Sequence, residues 1–209
     1  WVCLVMGVYL QPNLIYAELR QIMIGNGAIQ VIDFMSAANI DQAIVGVKFK
    51  LIPVSTPPVI ETLLCKNGWL TVLAAVIPVG SGRQVAEKLK LSRKEERCLI
   101  RLDIGISDKE LAVLNGRNWR QMAYHLGDSR VMLYFVQSLR DDIKIDIQRC
   151  DELAAWRRPK FPICGADLLS HGVDKGPVMG QMLLDGERHW VASNFSITKE
   201  ALLDWLLKD

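Results

Sequence analysis

The densest positive charge in the sequence lies between residues 83 and 101. If Ser92 begins a helix, Arg93, Arg97 and Arg101 recur every fourth residue and form a single stripe. Such a row suits a phosphate backbone, because each guanidinium presents a fork of donors and its binding releases counterions. An ordinary solvated face is an equally good interpretation, since glutamates are interleaved with the cations. The candidate phosphate contacts are Arg83, Lys88, Lys90, Arg93, Lys94, Arg97 and Arg101.

A second candidate is the glycine-rich stretch from Gly172 to Gly180. Within it, Gly176-Pro177 is typical of a turn that leads into a helix, because proline is tolerated in the first helical turn. The free N–H groups of a helix start bind phosphate well, and Lys175 lies beside them in the sequence. Glycine-rich helix starts are also common packing devices, so the residues alone leave both interpretations open.

A third basic cluster, formed by Arg157, Arg158 and Lys160, lies between Trp156 and Phe161. Aromatic side chains at such a place can stack nucleic-acid bases. More often they pack the joint between two helical units, and we favour that interpretation. The other tryptophans, including Trp190 and Trp205, are likewise predicted to lie mostly in the core.

A catalytic set is not apparent in the sequence. Nucleotide transfer needs clustered carboxylates that hold metal ions, yet Gly80-Ser81-Gly82 is not followed by an Asp-x-Asp pair. The adjacent pairs Asp141-Asp142 and Asp151-Glu152 diverge by about 100° on a helix, so we interpret them as solvated charges. The three histidines are scattered. The sequence therefore predicts no catalytic residue, no metal site and no bound cofactor in this chain.

Composition limits the classes of protein that remain. The 209 residues carry a net charge of +2 at pH 7, so nucleic-acid binding would depend on local clusters. Half of the residues are hydrophobic, which predicts a folded protein. The apolar run Trp69–Val79 is too short to cross a bilayer and is predicted to be a buried helix, so no membrane partner is expected. Five cysteines without a Cys-x-x-Cys pair predict free, buried thiols in a reducing cytosol: Cys3, Cys65, Cys98, Cys150 and Cys164.

Helix signals recur from end to end of the chain. They predict an all-α fold without a sheet, with an elongated multi-helix body and a small helical tail domain. The basic stretch from Arg157 to Pro162 contains two prolines and interrupts the helical periodicity. It divides the chain into a neck and body region, residues 1–158, and a tail, residues 159–209.

Individual helix boundaries follow from capping signals and periodicity. Ser92 with Glu95, and Ser107 with Glu110, have capping-box spacing, so a helix should begin after each serine. Alternating isoleucines over residues 143–147 resemble a strand, but without a strand partner we assign them to a helix. The other helices are predicted at residues 12–24, 29–39, 55–67, 119–126, 129–139, 151–157, 166–170, 177–192 and 199–207.

The segment from Phe161 to Leu183 resembles the C-terminal motif of bacterial CCA-adding tRNA nucleotidyltransferases and the related poly(A) polymerases. That motif has Gly-x-Asp-Leu, then Gly-x-x-x-Gly-Pro-x-x-Gly and a leucine-rich helix. The pair Asp174-Lys175 departs from the family, which often has proline there. The matching positions are Gly165, Asp167, Leu168, Gly172, Gly176, Pro177 and Gly180.

Weaker similarities to the same family extend over most of the chain. Residues 16–23 resemble the helix that follows the neck, and residues 89–97 resemble the family's leucine-Ser-x-x-Glu-Arg element. Residues 124–127 resemble its Tyr-x-x-Gly helix turn, and residues 190–203 resemble the ending of alphaproteobacterial-type members. Together with the tail motif, these segments run from about Pro12 to Leu207.

The resemblance implies a chain that holds the acceptor and TΨC arms of tRNA. In the family a separate N-terminal head adds nucleotides, using Mg²⁺ with CTP or ATP. The head's aspartates and the neck's Glu-Asp-x-x-Arg motif have no counterpart, so we expect a fragment that begins after both, which agrees with an apolar start at Trp1. The head of the same parent protein is then a partner. The parent is expected to be a cytoplasmic transferase, and this chain alone is expected to bind tRNA without activity.

Two hypotheses from other classes remain at this point. In a helical protein-interaction module the same basic faces would serve solubility only. Such a module would not bind tRNA, and charge reversal along the arginine stripe would not affect it. A helix-hairpin-helix DNA binder that uses residues 172–180 would prefer duplex DNA to tRNA.

Overall fold

The computed structural model describes residues 12–25, 27–51, 68–141 and 143–208. Every regular element within these ranges is helical, which confirms the predicted all-α fold. A 3-10 turn at Gly127–Ser129 lies between the helices Trp119–Leu126 and Arg130–Arg140. The α-helices are α1 Pro12–Ile24, α2 Ala28–Ala37, α3 Ile40–Val45, α4 Trp69–Val76, α5 Gly82–Lys88, α6 Arg93–Ile104, α7 Asp108–Asn115, α8 Trp119–Leu126, α9 Arg130–Arg140, α10 Ile147–Ala155, α11 Gly165–Ser170, α12 Pro177–Ala192 and α13 Lys199–Leu206.

Side-chain caps begin α6 and α7 where the sequence predicts them. The Glu95 N–H donates to Ser92 Oγ at 3.3 Å, and the Ser92 N–H donates to Glu95 Oε2 at 3.1 Å. Ser107 and Glu110 form the same reciprocal pair, at 3.3 and 2.7 Å. Each pair satisfies N–H groups that a helix start would otherwise leave without a partner. Both predicted capping boxes are confirmed.

The chain is divided into two compact units. Unit 1 comprises the residues up to Leu111 together with Asp128–Ala154, and unit 2 comprises Ala112–Gly127 together with the residues from Ala155 onward. Unit 2 therefore takes in α8 as well as the segment predicted to be the tail. The predicted division after residue 158 concerns which regions fold independently, and it stays a prediction.

Helix α4 is the centre of unit 1. Seven of its eight residues are buried, so it must be surrounded on all sides. It packs against α1, α6 and α9, and this confirms the buried helix predicted from the apolar run. The fully buried residues that those three helices contribute include Leu19, Met23, Leu99, Leu102, Tyr134 and Phe135.

A buried ion pair joins α6, α9 and α4 within unit 1. The Arg140 and Asp103 side chains lie 3.2 Å apart and are each only 6 % exposed. Arg140 also donates to the Asp103 carbonyl at 2.6 Å and to the Ala74 carbonyl at 2.7 Å. One guanidinium therefore satisfies acceptors from two other helices, which repays part of the cost of burying its charge.

The Asp103 carboxylate also holds the turn that leads into α5. Its two oxygens accept from the Gly80 N–H at 3.1 Å and the Gly82 N–H at 2.7 Å. A Cβ at position 82 would lie 2.8 Å from Asp103 Cβ, which is closer than real Cβ atoms approach. This close approach of the Asp103 side chain favours glycine at position 82. The Gly80-Ser81-Gly82 sequence thus serves as the docking point for a carboxylate from α6.

Unit 2 has an aromatic core. Tyr124 of α8 lies edge-on to Trp190 of α12, with ring centroids 6.0 Å apart, and Phe195 packs against both rings. Leu168 of α11 and Leu202 of α13 are fully buried in the same cluster. The core of unit 2 therefore combines residues of the predicted tail with Tyr124 from the predicted body.

Three local predictions are wrong. Residues 143–146 are not helical, and α10 begins only at Ile147. Cys164 is exposed, whereas Cys150 is buried and Cys98 is half-buried. Trp205 is 43 % exposed and stacks on His189 with ring centroids 4.2 Å apart, while Trp190 is buried as predicted. A helical spacing shows which residues share a face, but it does not show whether another element covers that face.

Some predictions fall outside the described residues. These are the helix at 55–67, together with Cys3, Cys65 and Asp142. Among the helices that are described, none is both long enough and apolar enough to span a membrane.

Loss of the Asp103 carboxylate should destabilise unit 1 strongly. We expect Asp103→Asn to cost about 3–5 kcal/mol, because it leaves the buried Arg140 charge without its partner. Gly82→Ala should cost about 1–3 kcal/mol through the clash with Asp103. Arg83→Ala is the control: it removes an exposed ion pair with Glu96, worth less than about 1 kcal/mol. Urea unfolding measures all three, and an Asp103→Asn protein as stable as the Arg83→Ala protein would contradict this account.

Candidate nucleic-acid interface

Helix α6 presents the predicted arginine stripe to solvent. Arg93, Arg97 and Arg101 are all exposed, while Leu99 and Leu102 on the opposite side are fully buried. The stripe is partly ordered from within: Arg97 Nε donates to the Arg93 carbonyl at 3.2 Å, and Arg101 donates to the Gly105 carbonyl at 3.1 Å. The guanidinium groups still keep most of their donors free for a ligand.

The glutamates interleaved with the stripe are engaged by other groups. Glu95 accepts from the Ser92 side chain at 2.6 Å and from the Tyr16 hydroxyl at 2.7 Å. Burial acts to raise the pKa of Glu95, but these hydrogen bonds outweigh it and hold the pKa below its usual value. Glu96 lies 3.8 Å from Arg83. Within the described ranges, neither glutamate forms an ion pair with an arginine of the stripe.

The remaining cations of residues 83–101 differ in whether their side chains form hydrogen bonds or ion pairs. Arg83 is paired with Glu96, and Lys88 Nζ donates to the Gln42 carbonyl at 3.4 Å. Lys90 and Lys94 are exposed, and no hydrogen bond or ion pair involves their side chains in the described part of the chain. Within residues 83–101, Lys90, Lys94 and the stripe are therefore the cations least engaged by the fold.

In unit 2, several residues of the tail motif hold the fold together. Leu168 is fully buried, and a Cβ at Gly165 would touch Met179 Sδ at 3.4 Å. Gly172 follows the end of α11 with a positive φ of 85°. The Gly172 N–H donates to Leu169 and the Val173 N–H to Leu168, at 3.0 and 3.1 Å. This hydrogen-bond pattern is a Schellman motif, which favours glycine.

The motif aspartate Asp167 links two helices of unit 2. One carboxylate oxygen accepts from the Cys164 N–H at 2.8 Å at the start of α11, and the other accepts from Lys199 Nζ of α13 at 2.6 Å. The hydrogen bond from Lys199, helped by that from Cys164, lowers the pKa of Asp167 to about 2. The side chain is thus a structural clamp that stays charged at neutral pH.

The start of α12 is open to solvent. Pro177 is its first residue, and a Cβ built on either Gly176 or Gly180 would meet nothing within 4 Å. The backbone at Gly176 is extended and Gly180 is helical, so neither conformation requires glycine. Lys175 is exposed immediately before this helix start. The two glycines leave the free N–H groups of the first turn uncovered.

The basic cluster that begins at Arg157 lies on the surface of unit 2, and its aromatic neighbours pack inward. Trp156 lies edge-on to Trp119 at 5.9 Å, and Phe161 lies edge-on to Trp190 at 5.7 Å. Both rings therefore pack within unit 2, as favoured from the sequence. Arg157, Arg158 and Lys160 are all exposed.

Arg158 is held over an aromatic ring of the unit 2 core. Its guanidinium carbon lies 4.2 Å from the centroid of Tyr124. The Tyr124 hydroxyl donates to Glu187 at 2.5 Å, and burial, together with this hydrogen bond, raises the pKa of Tyr124 to about 12. The sequence singled out Tyr124 only within the helix turn at residues 124–127. It did not predict the contact with Glu187, because an aromatic residue and a glutamate 63 positions apart carry no joint signal.

The predicted contact residues are thus distributed over both units. Residues 83–101 belong to unit 1, and the groups of residues 157–160 and 175–176 belong to unit 2. All twelve are exposed: Arg83, Lys88, Lys90, Arg93, Lys94, Arg97, Arg101, Arg157, Arg158, Lys160, Lys175 and Gly176. No group of three or more metal-ligating side chains comes together among the residues that the structure describes.

Comparison with known proteins gives no family assignment. A scan against protein-family models and a search of curated proteins each found no match to this chain.

The Asp167 clamp should make the stability of unit 2 depend on pH. Because the folded pKa of about 2 lies below the usual 3.8, the stabilisation is present above about pH 4 and is lost as pH falls towards 2. We expect Asp167→Asn to lower the melting temperature at pH 7, and the difference from wild type to shrink below pH 4. Asp174→Asn, at an exposed position, is the control. Identical melting of the Asp167→Asn and wild-type chains at pH 7 would refute the clamp.

Proposed function

We propose that this chain is the tRNA-binding C-terminal region of a CCA-adding tRNA nucleotidyltransferase or a poly(A) polymerase. The observation that carries the proposal is the open start of α12. Two glycines of the tail motif, Gly176 and Gly180, serve neither packing nor backbone conformation there. Glycines without a structural role are expected where a ligand must approach the backbone closely.

The exposed lysine and arginine side chains also support the proposal. A polynucleotide is bound mainly through its phosphates, by lysine, arginine and helix starts, and these contacts position it without reading sequence. Adjacent residues of the α6 stripe are separated by about 6 Å along the helix axis. The stripe can therefore contact several phosphates in succession. In unit 2, Lys175 and the start of α12 provide a further phosphate site of the kind that helix dipoles favour.

In this proposal the chain binds and orients RNA, and the chemistry takes place elsewhere. The acceptor and TΨC arms are gripped by these surfaces, while an N-terminal head of the same parent protein supplies the Mg²⁺ ions and binds CTP or ATP. The parent would act in the cytoplasm. The identity of the nucleotide added depends on the head, so the proposal covers CCA addition and poly(A) addition alike.

Charge reversal along the α6 stripe should abolish tight tRNA binding. Each lost phosphate contact lowers the salt slope of log K by about 0.9, so Arg93→Glu, Arg97→Glu and Arg101→Glu together should reduce it by almost three. Affinity at 0.1 M salt should fall by about a hundredfold or more. The measurement is fluorescence anisotropy with a tRNA transcript over a range of salt concentrations.

A control with the same change in net charge separates specific contacts from the overall field. The triple variant Lys109→Glu, Arg117→Glu, Lys144→Glu alters three exposed cations outside the predicted set, and it should bind tRNA nearly as well as wild type. Absence of tRNA binding by the wild-type chain at low salt would refute the proposal and favour a protein-interaction module. Preference for duplex DNA over tRNA would favour a helix-hairpin-helix binder.

A methyl group at position 180 should separate stability from binding. Gly180→Ala meets no neighbour and should stabilise α12 by about 0.5–1 kcal/mol, since alanine is the better helix former. It should nevertheless weaken tRNA binding, because the methyl group covers the approach to the helix start. Gly186→Ala is the contrasting control: its Cβ would lie 3.0 Å from Leu206 Cδ1, so it should destabilise the unit. Thermal melting and tRNA titration test both variants, and unchanged affinity of Gly180→Ala would exclude a contact at this helix start.

A further inference from the structure

Within the part of the chain that the structure describes, the helices α5, α11 and α12 end in the same backbone motif. In each of the three, the second and third residues after the helix donate their N–H groups to carbonyls of its last turn. This is the hydrogen-bond pattern of a Schellman motif. The position that needs a left-handed conformation is Gly172 after α11, with φ 85°, and Asn194 after α12, with φ 58°. Glycine and asparagine are the two residues that tolerate this conformation best.

The end of α5 departs from this pattern, because the left-handed position there is a lysine. Lys90 has φ 52°, its N–H donates to the Glu87 carbonyl at 3.2 Å, and the Leu91 N–H donates to the Ala86 carbonyl at 3.0 Å. A residue with a Cβ and no short polar side chain is strained in this conformation, relative to glycine. The hydrogen bonds show that the motif is complete, so the strain is held by the surrounding structure.

Packing explains another strained residue but does not explain this one. Phe195 also has a positive φ, of 64°, and its ring packs against Tyr124 and Trp190 in the core of unit 2. Lys90 is exposed, and among the described residues no hydrogen bond or ion pair involves its side chain. Neither a hydrogen bond nor an ion pair therefore explains a lysine at a position where glycine would be less strained.

The charge around Lys90 is mainly positive. Lys90 lies in the turn between α5 and α6, with exposed Glu87 and Lys88 before it and exposed Arg93 and Lys94 after it. Local excess of positive charge on an accessible turn favours an anionic ligand, and a compact ammonium is a suitable donor to a phosphodiester oxygen. The turn precedes the stripe directly, so its charge extends the same basic segment.

We propose that Lys90 is a phosphate-contacting residue, retained at a helix end where glycine would be more stable because its ammonium binds the RNA backbone. This inference rests on the proposed function, since it takes a tRNA phosphate as the ligand. It adds that affinity and stability oppose each other at this one position.

The decisive variant is Lys90→Gly in the full chain. We expect it to melt at a higher temperature than wild type, because the left-handed strain is relieved. It should also bind a tRNA transcript about eightfold more weakly at 0.1 M salt, with a salt slope smaller by about 0.9, as for the loss of one phosphate contact. Lys90→Arg keeps the charge and should bind like wild type.

A matched control comes from the equivalent position after α12. Asn194→Gly makes the same backbone change in the same motif without removing a charge, so tRNA affinity should not change. The inference is overturned if Lys90→Gly binds as tightly as wild type, if it melts at a lower temperature, or if Lys90→Arg loses as much affinity as Lys90→Gly. Wild-type binding with an unaffected Lys90→Gly protein would remove only this inference. Absence of tRNA binding by the wild-type chain would remove the proposed function as well.

Discussion

The Asp103 carboxylate is the constraint on which unit 1 depends. It accepts from two backbone N–H groups of the turn before α5 and pairs with Arg140, whose guanidinium also binds a carbonyl of α4. A buried carboxylate without such partners would be strongly unfavourable, so each of these segments fixes the position of the others. The carboxylate thereby holds the turn before α5 against α6, and the basic residues 88–94 connect these two helices.

Helix ends provide the second level of control over the basic surface. The capping box of Ser92 sets where α6 begins, and therefore which side of the helix each arginine occupies. The same box engages Glu95, whose other oxygen accepts from Tyr16. A glutamate that could have neutralised a neighbouring arginine is thereby committed to the fold. The exposed face of α6 remains positive although the net charge of the whole chain is only +2.

The tail motif combines structural and accessible residues within a few turns of chain. Asp167, Leu168 and Gly172 build unit 2 through a clamp, a core contact and a helix end. Gly176 and Gly180 lie beside them but serve no packing contact. An open helix start such as that of α12 keeps its position only if neighbouring residues fix the fold around it. Here Asp167, Leu168 and Gly172 do so. Within one motif, the residues that hold the fold are thus separate from the two glycines that the proposal assigns to binding.

The sequence by itself determined the features that depend on neighbours along the chain. Capping spacing located the starts of α6 and α7, helical periodicity separated the arginines from Leu99 and Leu102, and uniform apolarity marked α4 as buried. These are local effects, with interaction partners three or four residues apart. They sufficed to predict the all-α class and the outward face of the arginine stripe.

Only the tertiary structure decided which distant residues meet. Asp103 and Arg140 are 37 positions apart, and Tyr124 and Glu187 are 63 apart, so neither pair has a signature in the sequence. The exposure of Trp205 and Cys164 likewise depends on what packs against them. The left-handed conformation of Lys90 could not be foreseen either, because lysine gives no sign of a helix end at which glycine is usual. The physical reason is common to all of these cases: burial and strain are set by contacts between elements, and residue spacing encodes only the elements themselves.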